Sequence, residues 1–127
     1  MDDQGMRRKA AATDFLMLTA SGRVAEAFDL YVGPEFRHHN INFKGDAGSL
    51  KDAMEESALM LPGKVLEIMF ALQEDNMVAV YSKVTISPGG NGIALVHFFR
   101  FSDTKIIELW DLVQTQPDEI INENGMF

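Results

Sequence analysis

The segment HFFRFSDTKIIELWD, residues 97–111, decides how this chain folds. Two runs of β-branched, aromatic and long apolar residues flank Ser102-Asp103-Thr104, a break so short that the runs must be antiparallel neighbours. Read as a three-residue loop, it pairs Phe101 with Lys105, sets His97 against Leu109, and sets Leu95 against Asp111. Side chains alternate along a strand, so His97 and Asp111 then share one face, whereas a two-residue loop would separate them. That face carries Ile93, Leu95, His97, Phe99, Phe101, Ile107, Leu109, Asp111 and Val113. It is apolar except for Lys105 at its end, one histidine and one carboxylate. The other face carries Ala94, Val96, Phe98, Ile106, Trp110 and Leu112 beside Arg100 and Glu108, which suit solvent. Thr104 falls at the loop position that needs left-handed backbone.

Outward from this hairpin, Val65 to Leu72, Met77 to Ile86, Ile93 to Phe101 and Lys105 to Gln114 read as successive strands, separated by short polar or glycine-rich breaks. Before Gly63 the pattern is helical. Asp3 to Ala20 is Ala-rich and ends at Ser21-Gly22. Val24 to Tyr31 offers Val24, Ala27, Phe28 and Tyr31 at helical spacing and stops at Gly33-Pro34. Phe36 to Ile41 is a brief strand. Ser49 is placed to cap a third helix, Leu50 to about Leu61, with Asp52 three residues on and Pro62-Gly63 closing it. Helices followed by hairpin-linked strands make an α+β fold, its three N-terminal helices packed on a curved, mostly antiparallel sheet. Residues 1–127 read as a single domain.

Composition narrows the function. The chain has 127 residues, 46% hydrophobic and 24% charged, as expected of a folded globular protein. Nineteen acidic against eleven basic residues give a formal charge of −8, which repels nucleic acid and anionic membrane surfaces. Cysteine is absent. That removes disulfides, thiolate nucleophiles and cysteine-ligated metals, and it suits a reducing cytoplasm. No stretch approaches the roughly 18 apolar residues of a membrane span, and the first helix reads as amphipathic rather than as a signal peptide.

A carboxylate on an apolar concave face costs free energy unless it is paired or kept neutral. Asp111 beside His97 is therefore a candidate acid–base site, the alternative being a partly solvated aspartate in a structural pairing. Of His38 and His39, adjacent on a strand and so pointing oppositely, His39 is expected to enter the pocket with Asn40 near its rim. A solvated histidine pair is the alternative. Tyr31, Leu95, Phe99 and Leu109 are the expected ligand-binding walls. Zinc at His38, His39, His97 and Asp111 lacks the usual ligand spacings, and no metal or cofactor is expected. Nucleophile-elbow and phosphate-loop patterns are absent.

FRHHN at 36–40 with Gly45, then VHFFRF at 96–101 and KIIELWD at 105–111, resemble the SnoaL-like polyketide cyclases of the nuclear transport factor 2-like superfamily. The likeness, from about Phe15 to the final NENGMF, is to the bacterial branch labelled predicted SnoaL-like aldol-condensation enzymes. Ile41 stands where relatives often have proline, and Thr104 where they have a turn glycine. The resemblance implies a conical α+β barrel and cofactor-free intramolecular aldol condensation. Asp111 is then the general acid and base, His97 the pocket histidine, and His39 and Asn40 the histidine–asparagine pair. Three functions follow as expectations. One is a cyclase, isomerase or lyase acting on a small apolar or carbonyl-containing molecule. Another is a non-catalytic small-ligand carrier, and the third an interaction module with a vestigial pocket. Val96, Phe98, Trp110 and Leu112 form an apolar outer patch that points to a homodimer.

Overall fold

The structure is a computed structural model describing residues 3–127. Helix α1 (Asp3–Ala20) buries Ala11, Ala12, Phe15, Leu16 and Thr19, one face at helical spacing. It stops where Gly22 takes a φ of +89, a conformation glycine adopts without a Cβ penalty. Helix α2 (Val24–Tyr31) buries Val24, Ala27 and Phe28. Helix α3 (Ala47–Met60) starts earlier than expected, because Asp46 rather than Ser49 is its cap. The Asp46 carboxylate accepts the Ser49 backbone N–H at 2.9 Å and its hydroxyl at 2.7 Å.

The five strands form one sheet in the order β1-β5-β4-β3-β2, all antiparallel except β1 beside β5. Their ranges are β1 Val32–His38, β2 Val65–Glu74, β3 Met77–Thr85, β4 Gly92–Ser102 and β5 Lys105–Thr115. Strand β1 begins directly after α2, so Gly33-Pro34 lies inside the strand instead of breaking the chain before Phe36. The edge position makes this possible: Pro34 falls in the irregular stretch between Val32 and Arg37, where no ladder bond is needed from it. Phe15, Phe28, Phe36, Phe99, Phe101, Ile106 and Leu109 fill the core between helices and sheet.

The last hairpin differs from the expected register in two compensating ways. Ser102 pairs with Lys105, leaving a two-residue turn of Asp103 and Thr104. Asp103, not Thr104, takes the left-handed φ of +55, which aspartate tolerates through local hydrogen bonding. The ladder then slips by one residue: Phe101 pairs with Ile106 but Arg100 pairs with Glu108, so Ile107 is bulged out. The bulge restores the parity that the shorter turn removed. His97 faces Asp111 and Phe99 faces Leu109, while the core position assigned to Ile107 belongs to Ile106. Arg8 holds both tight hairpin ends to α1, donating to the carbonyls of Asp103 at 2.8 Å and Asp75 at 3.0 Å.

Among the described residues no helix lies over the outer face of the sheet. Val96 pairs with Leu112 and Phe98 with Trp110, and Phe70, Leu72 and Leu112 are 55%, 64% and 63% exposed there. Part of this face, near the start of β4, is covered by the chain end: Phe127 packs on Tyr81 under the Lys83 ammonium. Among the described residues no helix is long and apolar enough to cross a membrane.

Candidate functional site

A cavity of about 280 Å³ lies between the helices and the concave face of the sheet. Helix α1 contributes Leu16, Thr19 and Ala20, and α3 contributes Leu50, Ala53, Met54 and Ser57. The α3 residues recur at i, i+3, i+4 and i+7, the single stripe that a helix can turn toward one cavity. From the sheet come Leu66, Val84, Leu95, His97 and Asp111. Asn40, Phe43 and Lys64 complete the rim.

His97 is 6% exposed, and its Nδ1 has no hydrogen-bond partner among the described residues. Burial pushes the ring pKa down to about 4, only partly opposed by the nearby Asp111 carboxylate, so the imidazole is neutral at pH 7. Asp111 sits directly across the ladder, where paired Cβ atoms are about 5 Å apart. Its Oδ2 accepts from the Asn40 side-chain amide at 3.0 Å. Asn40 is itself held by His38. The His38 Nδ1 accepts the Asn40 backbone N–H at 3.1 Å, so its Nε2–H donates to the Lys44 carbonyl at 2.6 Å. His38, 5% exposed, thus fixes the loop that aims Asn40 at Asp111.

The sequence-derived site residues divide. Asp111, His97, Asn40 and Leu95 converge on the cavity. His39 does not: alternation sends it to the outer face, where its ring stacks on Trp110 at 5.0 Å and donates to Glu108 at 2.7 Å. Phe99 and Leu109, at 0% and 2% exposure, sit below the cavity in the core. Tyr31 lies away from it, its hydroxyl bonded to Asp14, and that bond raises the phenol to about 12. Among the described residues no cluster of three or more histidine, aspartate or glutamate side chains forms a metal site. Lys64, Ser57, Phe43 and Met54 were not picked out from the sequence. Only the α3 stripe carried a signal for them, and Lys64 was masked by the helix-stopping Pro62-Gly63.

Glu108, expected in solvent, is 6% exposed on the outer face. It accepts from Arg37 at 2.9 and 3.3 Å, from His39 and from Arg100 at 3.2 Å. The Arg37 and His39 hydrogen bonds hold its carboxyl down at about 2. Arg100 also lies over the Trp110 ring at 5.6 Å.

No family model and no curated sequence matches the chain, but solved structures do. AclR from Streptomyces galilaeus, designated a hydroxylase, superposes with a TM-score of 0.76 at 22% identity, covering 89% of this chain and 82% of that one. A protein designated a polyketide cyclase from Bacillus cereus gives 0.74 at 20%, covering 85% and 74%. One designated a ketosteroid isomerase from Kribbella flavida gives 0.70 at 18%, covering 97% and 96%. At these identities the likeness establishes the fold: the chain has the nuclear transport factor 2-like cone shared by cyclase-type and isomerase-type proteins.

Proposed function

We propose that this protein is a cofactor-free enzyme of the cyclase or isomerase type, which removes a proton beside a carbonyl and protonates the oxygen or carbon that receives it. The observation that carries this reading is the pairing of Asp111 and neutral His97 on one apolar wall, with the His97 Nδ1 lacking any partner among the described residues. Asp111 has one oxygen engaged by Asn40, and its other oxygen has no protein donor among the described residues. That oxygen is the general base: it takes the α-proton and returns it later in the cycle, a role worth about 10²–10⁴-fold. The neutral imidazole supplies an N–H toward the enolate oxygen, a donor strengthened by exclusion of water. The walls hold the substrate in a reactive conformation. For an aldol closure the same enolate carbon attacks a second carbonyl of the substrate, and the resulting alkoxide takes up the proton. The designations of the AclR, Bacillus cereus and Kribbella flavida proteins accord with small-molecule chemistry in this cone. The uncovered outer face supports a homodimer as the working form.

Deuterium incorporation into 2-tetralone in D₂O, followed by NMR, tests the proton-abstraction step with a generic enolisable ketone in place of the natural substrate. The wild-type chain is expected to accelerate exchange over buffer, and Asp111→Asn to abolish the acceleration. A wild type that binds the ketone without accelerating exchange would instead identify a carrier.

A further inference from the structure

The cavity has a second polar end that the proposed chemistry leaves unused. Lys64, just before β2, is half-buried at the rim of the cavity, and its Nζ donates to the Ser57 hydroxyl of α3 at 3.0 Å. In a chain with nineteen acidic residues, no carboxylate among the described residues forms a salt bridge with it. An ammonium has three protons to donate, and Ser57 accepts one. The Lys64 side chain lines a cavity to which α3 contributes Leu50, Ala53 and Met54, and β2 and β3 contribute Leu66 and Val84. Desolvation there lowers the Lys64 pKa. Because the Ser57 oxygen accepts from Lys64, its own proton is free to point to a third group.

We propose that Lys64 and Ser57 form the receptor for a carboxylate, so that the ligand is an apolar keto acid bound with its anionic end on α3 and β2 and its reactive carbon at Asp111. This rests on the enolisation reading of the same cavity. Electrostatics fix the orientation, because Lys64 and Asp111 line the same cavity, Asp111 on β5 and Lys64 just before β2, which is three strands away in the sheet. A carboxylate is attracted to one end and repelled by Asp111 at the other. Lys64 and Ser57 are thereby specificity-determining residues that touch the part of the substrate that does not react.

The test uses 1-naphthaleneacetate and its neutral isostere 1-naphthaleneacetamide, titrated calorimetrically into the full chain. The wild type is expected to prefer the acid by about tenfold or more, as a charge-assisted contact implies. Lys64→Met should weaken the acid until the two ligands bind alike, leaving the amide unchanged. Lys64→Arg should keep the preference, which separates loss of charge from misfolding, and Ser57→Ala should reduce it several-fold. Failure of the acid to bind the wild type, equal affinity for the two ligands, or a preference that survives in Lys64→Met would each overturn the anion receptor. The tetralone exchange assay is independent of it. Asp111-dependent exchange without acid preference sinks only the receptor, whereas acid preference without exchange sinks the enolisation reading and with it the keto-acid assignment, leaving the Lys64–Ser57 anion contact standing.

Discussion

His97 and Asp111 face each other across the β4–β5 ladder because Ile107 bulges out of it. A two-residue turn alone would have put Asp111 on the outer face and turned Trp110 and Leu112 inward. The bulge adds one residue to β5 and inverts the alternation beyond it, so the acid–base pair and the Glu108 cluster both owe their sides of the sheet to Ile107.

Asp111→Asn is expected to keep the fold and most ligand affinity while lowering turnover by about 10²–10⁴-fold. The amide has nearly the same shape but accepts no proton at accessible pH. Asn40→Ala should have a smaller effect in the same direction, since it removes the donor at 3.0 Å that orients the carboxylate. Ketone exchange rates at constant thermal stability decide both.

Stability should fall with acidity in two separable steps. The folded pKa of His97 is lowered from 6.5 to about 4, so the unfolded chain binds the proton first as pH drops. The contribution of the neutral ring is complete above pH 6.5 and is lost down to about pH 4, on the order of 3 kcal/mol. Glu108 is lowered from 4.5 to about 2, so its contribution is complete above 4.5 and lost below that. Urea midpoints at pH 7 and pH 4.5 should therefore differ in the wild type, and differ much less in His97→Phe.

Replacing Glu108 by Gln should destabilise modestly, by roughly 1 kcal/mol. The carboxylate is buried, but the Arg37, His39 and Arg100 side chains are 70%, 45% and 40% exposed and regain water when it is gone. Denaturation at pH 7 measures this, and a loss several times larger would mean that these cations are buried in an assembly.

The uncovered outer face should pair two copies of the chain. Sedimentation at micromolar concentration is expected to report a dimer, and Trp110→Arg a monomer of unchanged secondary structure. The substitution sets a second cation beside Arg100 at the centre of a self-complementary patch. A wild-type monomer with solvent-exposed tryptophan fluorescence would count against pairing through this face.

Asp46→Ala should destabilise the fold by uncapping α3, with Ser49→Ala milder because Asp46 keeps the backbone N–H. Thermal melts of the two variants give the order directly.

The sequence alone determined the elements and their order, because hydrophobic periodicity and turn residues act locally: α1 and α2, the four long strands and the antiparallel hairpins are all written within short windows. It also determined the cohabitation of His97 and Asp111, although by an argument whose two errors cancelled. A three-residue loop and a two-residue turn with a bulge have the same parity, and parity is what pattern reading detects. Only the tertiary structure decided which histidine enters the cavity side of the sheet. His38 and His39 differ by one position of alternation, and that phase is set where β1 docks in parallel on β5 from the far end of the chain. Lys64 was beyond local reading because, although its partner Ser57 is only seven residues away, the apolar walls around it belong to α3 and the sheet, which meet only once the core between them has packed.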